Sequence, residues 1–180
     1  MAAGATIHTF DLTISDVDRG VYESVSLRAA RHPSETEQFL VTRVLAYALE
    51  YVEGIAFSEG ISTTKNEPAV LVRDATGSIT GWIEIGGPDA ERLHFGSKLA
   101  DRTVVYTHRD PAKVAALWAG KKIHRGEEIE LRSFDPGFVD DVAGALGRRS
   151  ELTVSLIESR VYVELDGRSF SSELHSQPAL

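Results

Sequence analysis

The residue types in this sequence that could do chemistry are mostly carboxylates. Asp74 heads a predicted turn, Asp74-Ala75-Thr76-Gly77, and Glu84 follows ten residues later within Gly81-Trp82-Ile83-Glu84-Ile85-Gly86. A carboxylate among Trp82, Ile83 and Ile85 is costly to bury unless something pairs with it. Glu84 therefore either points outward from an alternating strand or meets a cation, whether arginine, lysine or metal. Glu35 falls in the first turn of a predicted helix, where a carboxylate complements the helix dipole. Arg31 and His32, just upstream, suit an anion at that N-terminus or serve as plain surface residues. Lys98 lies fourteen residues after Glu84, on the helix predicted to follow the strand.

Other chemistries lack their residues. The sequence has no G-x-x-x-x-G-K-[ST], no G-x-G-x-x-G after a strand, no G-x-S-x-G and no H-E-x-x-H. Its six histidines show no zinc-ligand spacing, and the absence of cysteine excludes disulfides, thiolate metal sites and a Cys nucleophile. At 180 residues, with 42% hydrophobic and 26% charged residues, the composition is that of one ordinary globular domain. The longest apolar runs fall far short of the ~18 residues a membrane span needs. Met1 to Thr6 lacks the basic start and long apolar core of a signal peptide, so the expectation is a cytoplasmic chain.

The net charge of −8 at first argues against nucleic acid, because phosphate binding needs Lys and Arg. The charge is unevenly spread. Arg92, Lys98, Arg102, Arg109, Lys113, Lys121, Lys122 and Arg125 are opposed within their stretch only by Asp101 and Asp110, a surplus of six. The remainder of the chain then carries a net charge of −14. Such asymmetry is compatible with solvated helix faces and equally with a basic cleft on an acidic body.

The elements that must position these residues follow from periodicity. Thr6 to Leu12 alternates apolar and polar, and Val21 to Ala29 alternates again, which predicts an N-terminal β-hairpin. Ser34 followed by Glu37 predicts a capping box that opens a long helix running towards Gly54. Ala69 to Val72 and Ile79 to Ile85 predict a second hairpin, and Ala90 to Leu99 a short helix. Thr103 to Thr107 reads as a buried strand. Asp110 then caps a helix with Pro111 at its first position and Gly120 at its end. A weak strand at Ile129 to Leu131, a helix from Asp135-Pro136 to Gly147 and a C-terminal hairpin at Leu152 to Ile157 and Val161 to Leu165 complete the order. Residues 171–180 read as a polar tail of the single domain 1–180. The fold class is mixed α+β, with a sheet covered by helices.

Several runs carry a family resemblance. Arg31-His32-Pro33-Ser34-Glu35-Thr36 opening a helix resembles a signature of the bacterial YaeQ family. Glu67-Pro68-Ala69-Val70-Leu71-Val72-Arg73-Asp74-Ala75-Thr76-Gly77, with Trp82-Ile83-Glu84-Ile85-Gly86 and Pro88-Asp89, resembles a second. Ala100-Asp101-Arg102 running into Val104-Val105-Tyr106-Thr107 resembles a third, and the likeness covers essentially the whole chain. The resemblance implies a restriction-endonuclease-like, PD-(D/E)XK variant core: a mixed central sheet flanked by helices, between an N-terminal and a C-terminal hairpin. It implies a Mg²⁺ site, with Mn²⁺ as substitute, held by Asp74, Glu84 and Glu35. Oxygen ligands of this kind suit a hard divalent cation, which polarises a phosphoryl group and generates hydroxide.

The sequence departs from that pattern at three places. Gly86 stands where the motif wants lysine, and Phe95 where the resemblance places a substitute lysine, which leaves Lys98 one helical turn later. Relatives carry an acidic or an apolar residue after Glu67-Pro68; here it is Ala69, leaving Glu67 and Asp74 as the available acids. Two functions follow as expectations. One is a Mg²⁺-dependent nuclease with Asp74, Glu84, Glu35 and Lys98 as catalytic residues and Arg31 and His32 at the substrate. The other is a catalytically degenerate module of the same fold that binds nucleic acid or a protein partner.

Overall fold

The computed structural model describes residues 4–58 and 67–180. These group into two compact units. The first is built from the described part of Met1–Leu49 and from Phe134–Leu174, the second from the described part of Glu50–Ser133 and from His175–Leu180. A single domain over 1–180 was the expectation; both units draw on discontinuous chain.

In the first unit the N-terminal alternation forms β1 (Thr6–Asp16) and β2 (Val21–Arg31), an antiparallel pair in register from Thr6 opposite Arg31 to Asp16 opposite Val21. The buried face of β1 carries His8, Phe10, Leu12, Ile14 and Asp16, so the period of two sorts its side chains as alternation predicts. The two polar members of that face each make a hydrogen bond. His8 Nδ1–H donates to the Gly147 carbonyl at 3.0 Å, and Asp16 accepts from the Arg19 side chain at 2.6 Å. On its other edge β1 runs parallel to β8 (Arg149–Ile157), which pairs antiparallel with β9 (Arg160–Leu165), itself antiparallel to β10 (Arg168–Pro178).

Two helices complete this unit, α1 (Glu37–Leu49) and α4 (Phe138–Gly144), and they pack against each other. The expected Ser34–Glu37 capping box does not form. The Thr36 hydroxyl caps instead, accepting from the Phe39 N–H at 3.0 Å, while the Ser34 hydroxyl bonds His32. From Leu40 to Leu49 every residue of α1 is buried, so the helix is covered all round rather than on one stripe. Residues 171–180 are not a tail: β10 runs through them to Pro178.

The second unit holds β3 (Ile55–Phe57), β4 (Val70–Arg73), β5 (Ile79–Ile85), β6 (Arg102–Thr107) and β7 (Glu130–Phe134). The pairs β3–β4 and β4–β5 are antiparallel, whereas β5, β6 and β7 run parallel in that order. The helix α2 (Ala90–Leu99) links β5 to β6, and α3 (Pro111–Ala116) links β6 towards β7. Asp110 caps α3, as its place before Pro111 predicts, and Asp89 caps α2. The seat of α2 is set by one missing side chain: a Cβ on Gly96 would lie 2.5 Å from the Trp82 ring, so only glycine lets the helix rest on β5. Leu93, Val105, Val114, Trp118, Ile129 and Leu131 fill the core between helices and sheet. Among the described residues no helix is long and apolar enough to cross a membrane.

Candidate functional site

Glu84 is buried, with 4% of its surface exposed, and it faces α2. Trp82 and Glu84 share one face of β5, two residues apart, and α2 lies across that face. Gly96 meets Trp82, and Arg92, four residues earlier on the same helix side, meets Glu84. The contact is bidentate. Arg92 Nε donates to Glu84 Oε2 at 2.7 Å and Arg92 Nη2 donates to Oε1 at 3.0 Å. Arg92 Nη2 also donates to the Glu67 carbonyl at 2.9 Å, which ties the approach to β4 into the same cluster. Burial pushes the Glu84 carboxyl above its usual range, against the pull of Arg92, while the bond to Glu84 raises Arg92. Of the two readings open from sequence, Glu84 is therefore paired with a cation, and that cation is an arginine.

The other expected ligands stand elsewhere. Val70 pairs with Ile83, so the position facing Glu84 is Ala69, whose backbone N–H also bonds the Glu84 carboxylate. Asp74 sits at the opposite end of the hairpin, where its N–H donates to the Ser78 carbonyl. Six residues separate Ser78 from Glu84, ~20 Å along the strand at ~3.3 Å per residue. The Asp74 side chain is spent on its own turn, accepting from the Thr76 hydroxyl at 2.6 Å and from the Thr76 and Ser78 N–H groups. The Thr76 hydroxyl chiefly holds the exposed Asp74 carboxyl below its ordinary range. Lys98 is exposed, six residues beyond Arg92, ~9 Å further along the axis and about a third of a turn off the Arg92 face. Phe95 stacks edge-on to Trp82 with ring centroids 5.6 Å apart.

Glu35, Arg31 and His32 belong to the first unit. Glu35 lies 3.6 Å from Arg43, a buried arginine whose Nη2 also donates to the Ala30 carbonyl. Arg31 Nη1 donates to the Glu35 carbonyl at 3.0 Å, and His32 Nδ1 accepts from the Ser34 N–H at 3.1 Å. The Arg-His-Pro-Ser-Glu-Thr run thus builds the turn that leads into α1. Asp74 and Glu84 are not brought together within the second unit, so these residues do not form a carboxylate pair that fits a divalent cation.

The basic stretch divides in two. Arg92, Arg102 and Arg125 are committed. Arg102 bonds Glu50 and Glu130, and Arg125 bonds the Ser97 and Ala100 carbonyls and pairs with Glu128. Sequence reading missed the buried cluster that Arg102 enters. There the Tyr106 hydroxyl accepts from Arg132 and donates to Glu50, two carboxylates balance two guanidinium groups, and burial drives the Tyr106 pKa upward. Its only sequence signal is charge at every second residue of short strands, in Arg102 and in Glu130 with Arg132. The remaining cations, Lys98, Arg109, Lys113, Lys121 and Lys122, are exposed and make no ion pair among the described residues.

The YaeQ protein family model matches residues 1–174. The chain belongs to the YaeQ family. The YaeQ protein of Escherichia coli K12 is 32% identical over 141 residues, covering 78% of this chain and 75% of the relative. That of Salmonella typhi is 29% identical over 151 residues, covering 84% and 80%. Among solved structures, YaeQ from Xanthomonas axonopodis pv. citri superposes with a TM-score of 0.85 at 29% identity, covering 98% of this chain and 99% of that one. YaeQ from Pseudomonas syringae superposes at 0.82 with 33% identity, covering 96% and 95%. The family resemblance read from the Arg31–Thr36 and Glu67–Asp89 runs is therefore correct, and the YaeQ fold extends over both units.

Proposed function

We propose that this YaeQ protein is a restriction-endonuclease-like module that binds nucleic acid in the bacterial cytoplasm without cutting it. The observation that carries this reading is the Glu84–Arg92 pair. Both carboxylate oxygens that a divalent cation would need are bonded to a guanidinium, and the facing residue is Ala69. The succession of antiparallel β4–β5, helix α2 and parallel β6 supports the nuclease-like core. The five unpaired cations support the ligand: phosphate attraction needs uncommitted Lys and Arg, and these come from elements that adjoin one another in the second unit. A Mg²⁺-dependent nuclease remains the competing reading; it would need Glu84 to release Arg92.

The experiment uses the full chain with labelled single-stranded, duplex and structured DNA and RNA, with Mg²⁺, Mn²⁺ or EDTA. Fluorescence anisotropy is expected to report binding that EDTA leaves unchanged, and gels are expected to show intact substrate. Metal-dependent cleavage that disappears in Glu84→Gln would overturn the proposal.

A further inference from the structure

The chain carries a second feature, on the other side of α2 from Trp82 and built around unpaired cations. The parallel strands β5 and β6 end at Ile85 and Thr107, and a cavity of about 690 Å³ opens just beyond them. Crevices at the carboxyl ends of parallel strands are where ligands settle in such sheets, because chain reversal there leaves space between helices. Gly87, Ala90, His94, Leu117, Lys121 and Lys122 line it, as do the carboxylates of Asp89 and Glu91.

Three local devices build the cavity. The Trp118 indole N–H donates to the Pro88 carbonyl at 2.7 Å, which fixes the segment after α3 against the turn after β5. Gly87 carries no side chain where one would meet both the Arg109 guanidinium and the Leu117 methyl at 3.2 Å, so both groups close over bare backbone. His94 Nδ1 accepts from the His124 N–H at 3.0 Å. A backbone N–H can only donate, so the neutral His94 ring carries its proton on Nε2, a further donor on a side chain that lines the cavity.

The donors of the lining are therefore Lys121, Lys122 and the His94 Nε2–H, the Arg109 guanidinium lies beside Gly87, and Leu117 and Ala90 offer an apolar wall. Asp89 is partly spent on capping α2. Three cations without carboxylate partners suit a dianion better than a single negative charge, and a phosphomonoester is a dianion near neutral pH. The volume falls within the range of small-ligand sites, large enough for a ring beside the phosphate.

We propose that this cavity binds the phosphomonoester of a single nucleotide, its sugar and base lying against Leu117 and Ala90. This deepens the nucleic-acid reading, on which it rests for its biological source: a phosphorylated strand end. A free mononucleotide offers the same chemistry. Lys98 and Lys113 lie one helical turn from His94 and Leu117 respectively, positions that continue the positive surface away from the cavity.

The test records amide NMR spectra of the full chain with adenosine 5′-monophosphate, with adenosine, and with one oligonucleotide bearing a 5′-phosphate or a 5′-hydroxyl. The monophosphate is expected to shift Gly87, Leu117 and Lys122, and adenosine to leave them unmoved. The phosphorylated oligonucleotide is expected to compete at least tenfold better than its hydroxyl counterpart. Lys121→Glu with Lys122→Glu should weaken the monophosphate at least tenfold, whereas Arg149→Glu, an exposed residue of the first unit, should not. Equal shifts with adenosine, or none at these amides with the monophosphate, overturn the proposal. Oligonucleotide binding without any shift at the cavity overturns it too, and leaves nucleic-acid binding standing. Monophosphate binding with no oligonucleotide binding supports the cavity with the free nucleotide as source, and overturns the nucleic-acid reading instead.

Discussion

A buried carboxylate needs a counter-charge, and Arg92 supplies it to Glu84 from the first turn of the next helix. Removing only the arginine strands the acid. Arg92→Ala is expected to cost about 3–5 kcal/mol in urea unfolding, whereas Arg92→Met with Glu84→Leu, which removes both charges, recovers most of that loss. The loss has a pH signature. Burial already raises the Glu84 pKa, and without Arg92 it rises further, so the folded variant binds a proton that the unfolded chain releases. A group with a raised folded pKa keeps its stabilising contribution below the unfolded value, ~4.3 for Glu, and loses it as pH climbs through the folded one. The Arg92→Ala deficit is therefore smallest in acid and grows towards neutrality, as unfolding curves at several pH values would report. Asp74 behaves in the opposite sense, since the Thr76 hydroxyl and backbone N–H groups favour its charged form. Thr76→Ala should move the Asp74 carboxyl-carbon titration upward, towards the ordinary Asp value.

At the scale of elements, α2 is the part that decides what β5 can do, because Gly96 lets it rest on Trp82 and bring Arg92 to Glu84. Gly96→Ala adds a methyl 2.5 Å from the indole and should destabilise by about 1–3 kcal/mol despite alanine's better helix propensity. Trp82→Leu in the same chain should make the two losses less than additive, measured by thermal unfolding of the four-member cycle. The helix itself was legible: the spacing from Ala90 to Leu99 gives its range. So were β1 and β2, whose alternation matches one buried face, and the Asp110–Pro111 start of α3. The strand β10 was not, because its polar residues are held by backbone pairing, with β9 as far as Glu173 and with β7 on its other edge, and composition alone reads such a run as a tail. Asp74 and Glu84, expected to share a site, stand apart for a related reason. Ten residues of spacing carry no hairpin register, and the register sets the two acids at opposite ends. A cation partner for Glu84 was one of two readings open in the sequence; which reading holds, and which cation, depended on the seat of α2.

For the whole molecule, a chain with a net charge of −8 can still attract phosphate if its unpaired cations are gathered in one unit. Of the eight basic residues between Arg92 and Arg125, three neutralise the protein's own groups and so contribute nothing to a phosphate. Sequence charge counting overstates the surface for this reason, and the remaining five set its reach. Binding driven by them has a defined salt response, because each neutralised phosphate of a single strand releases condensed counterions. With Arg109, Lys121 and Lys122 on the one dianionic end phosphate, the slope of log K against log salt should be about −1.4, at ~0.7 per neutralised charge. If Lys98 and Lys113 each meet a further phosphate of the strand, the slope steepens to about −2.8, and charge removal at those two lysines returns it to about −1.4. Arg102→Gln, by contrast, breaks an internal bond to Glu50 and is expected to lower stability while leaving the slope unchanged. Anisotropy titrations across a salt series thus separate the cations that hold this protein together from those it offers to a partner.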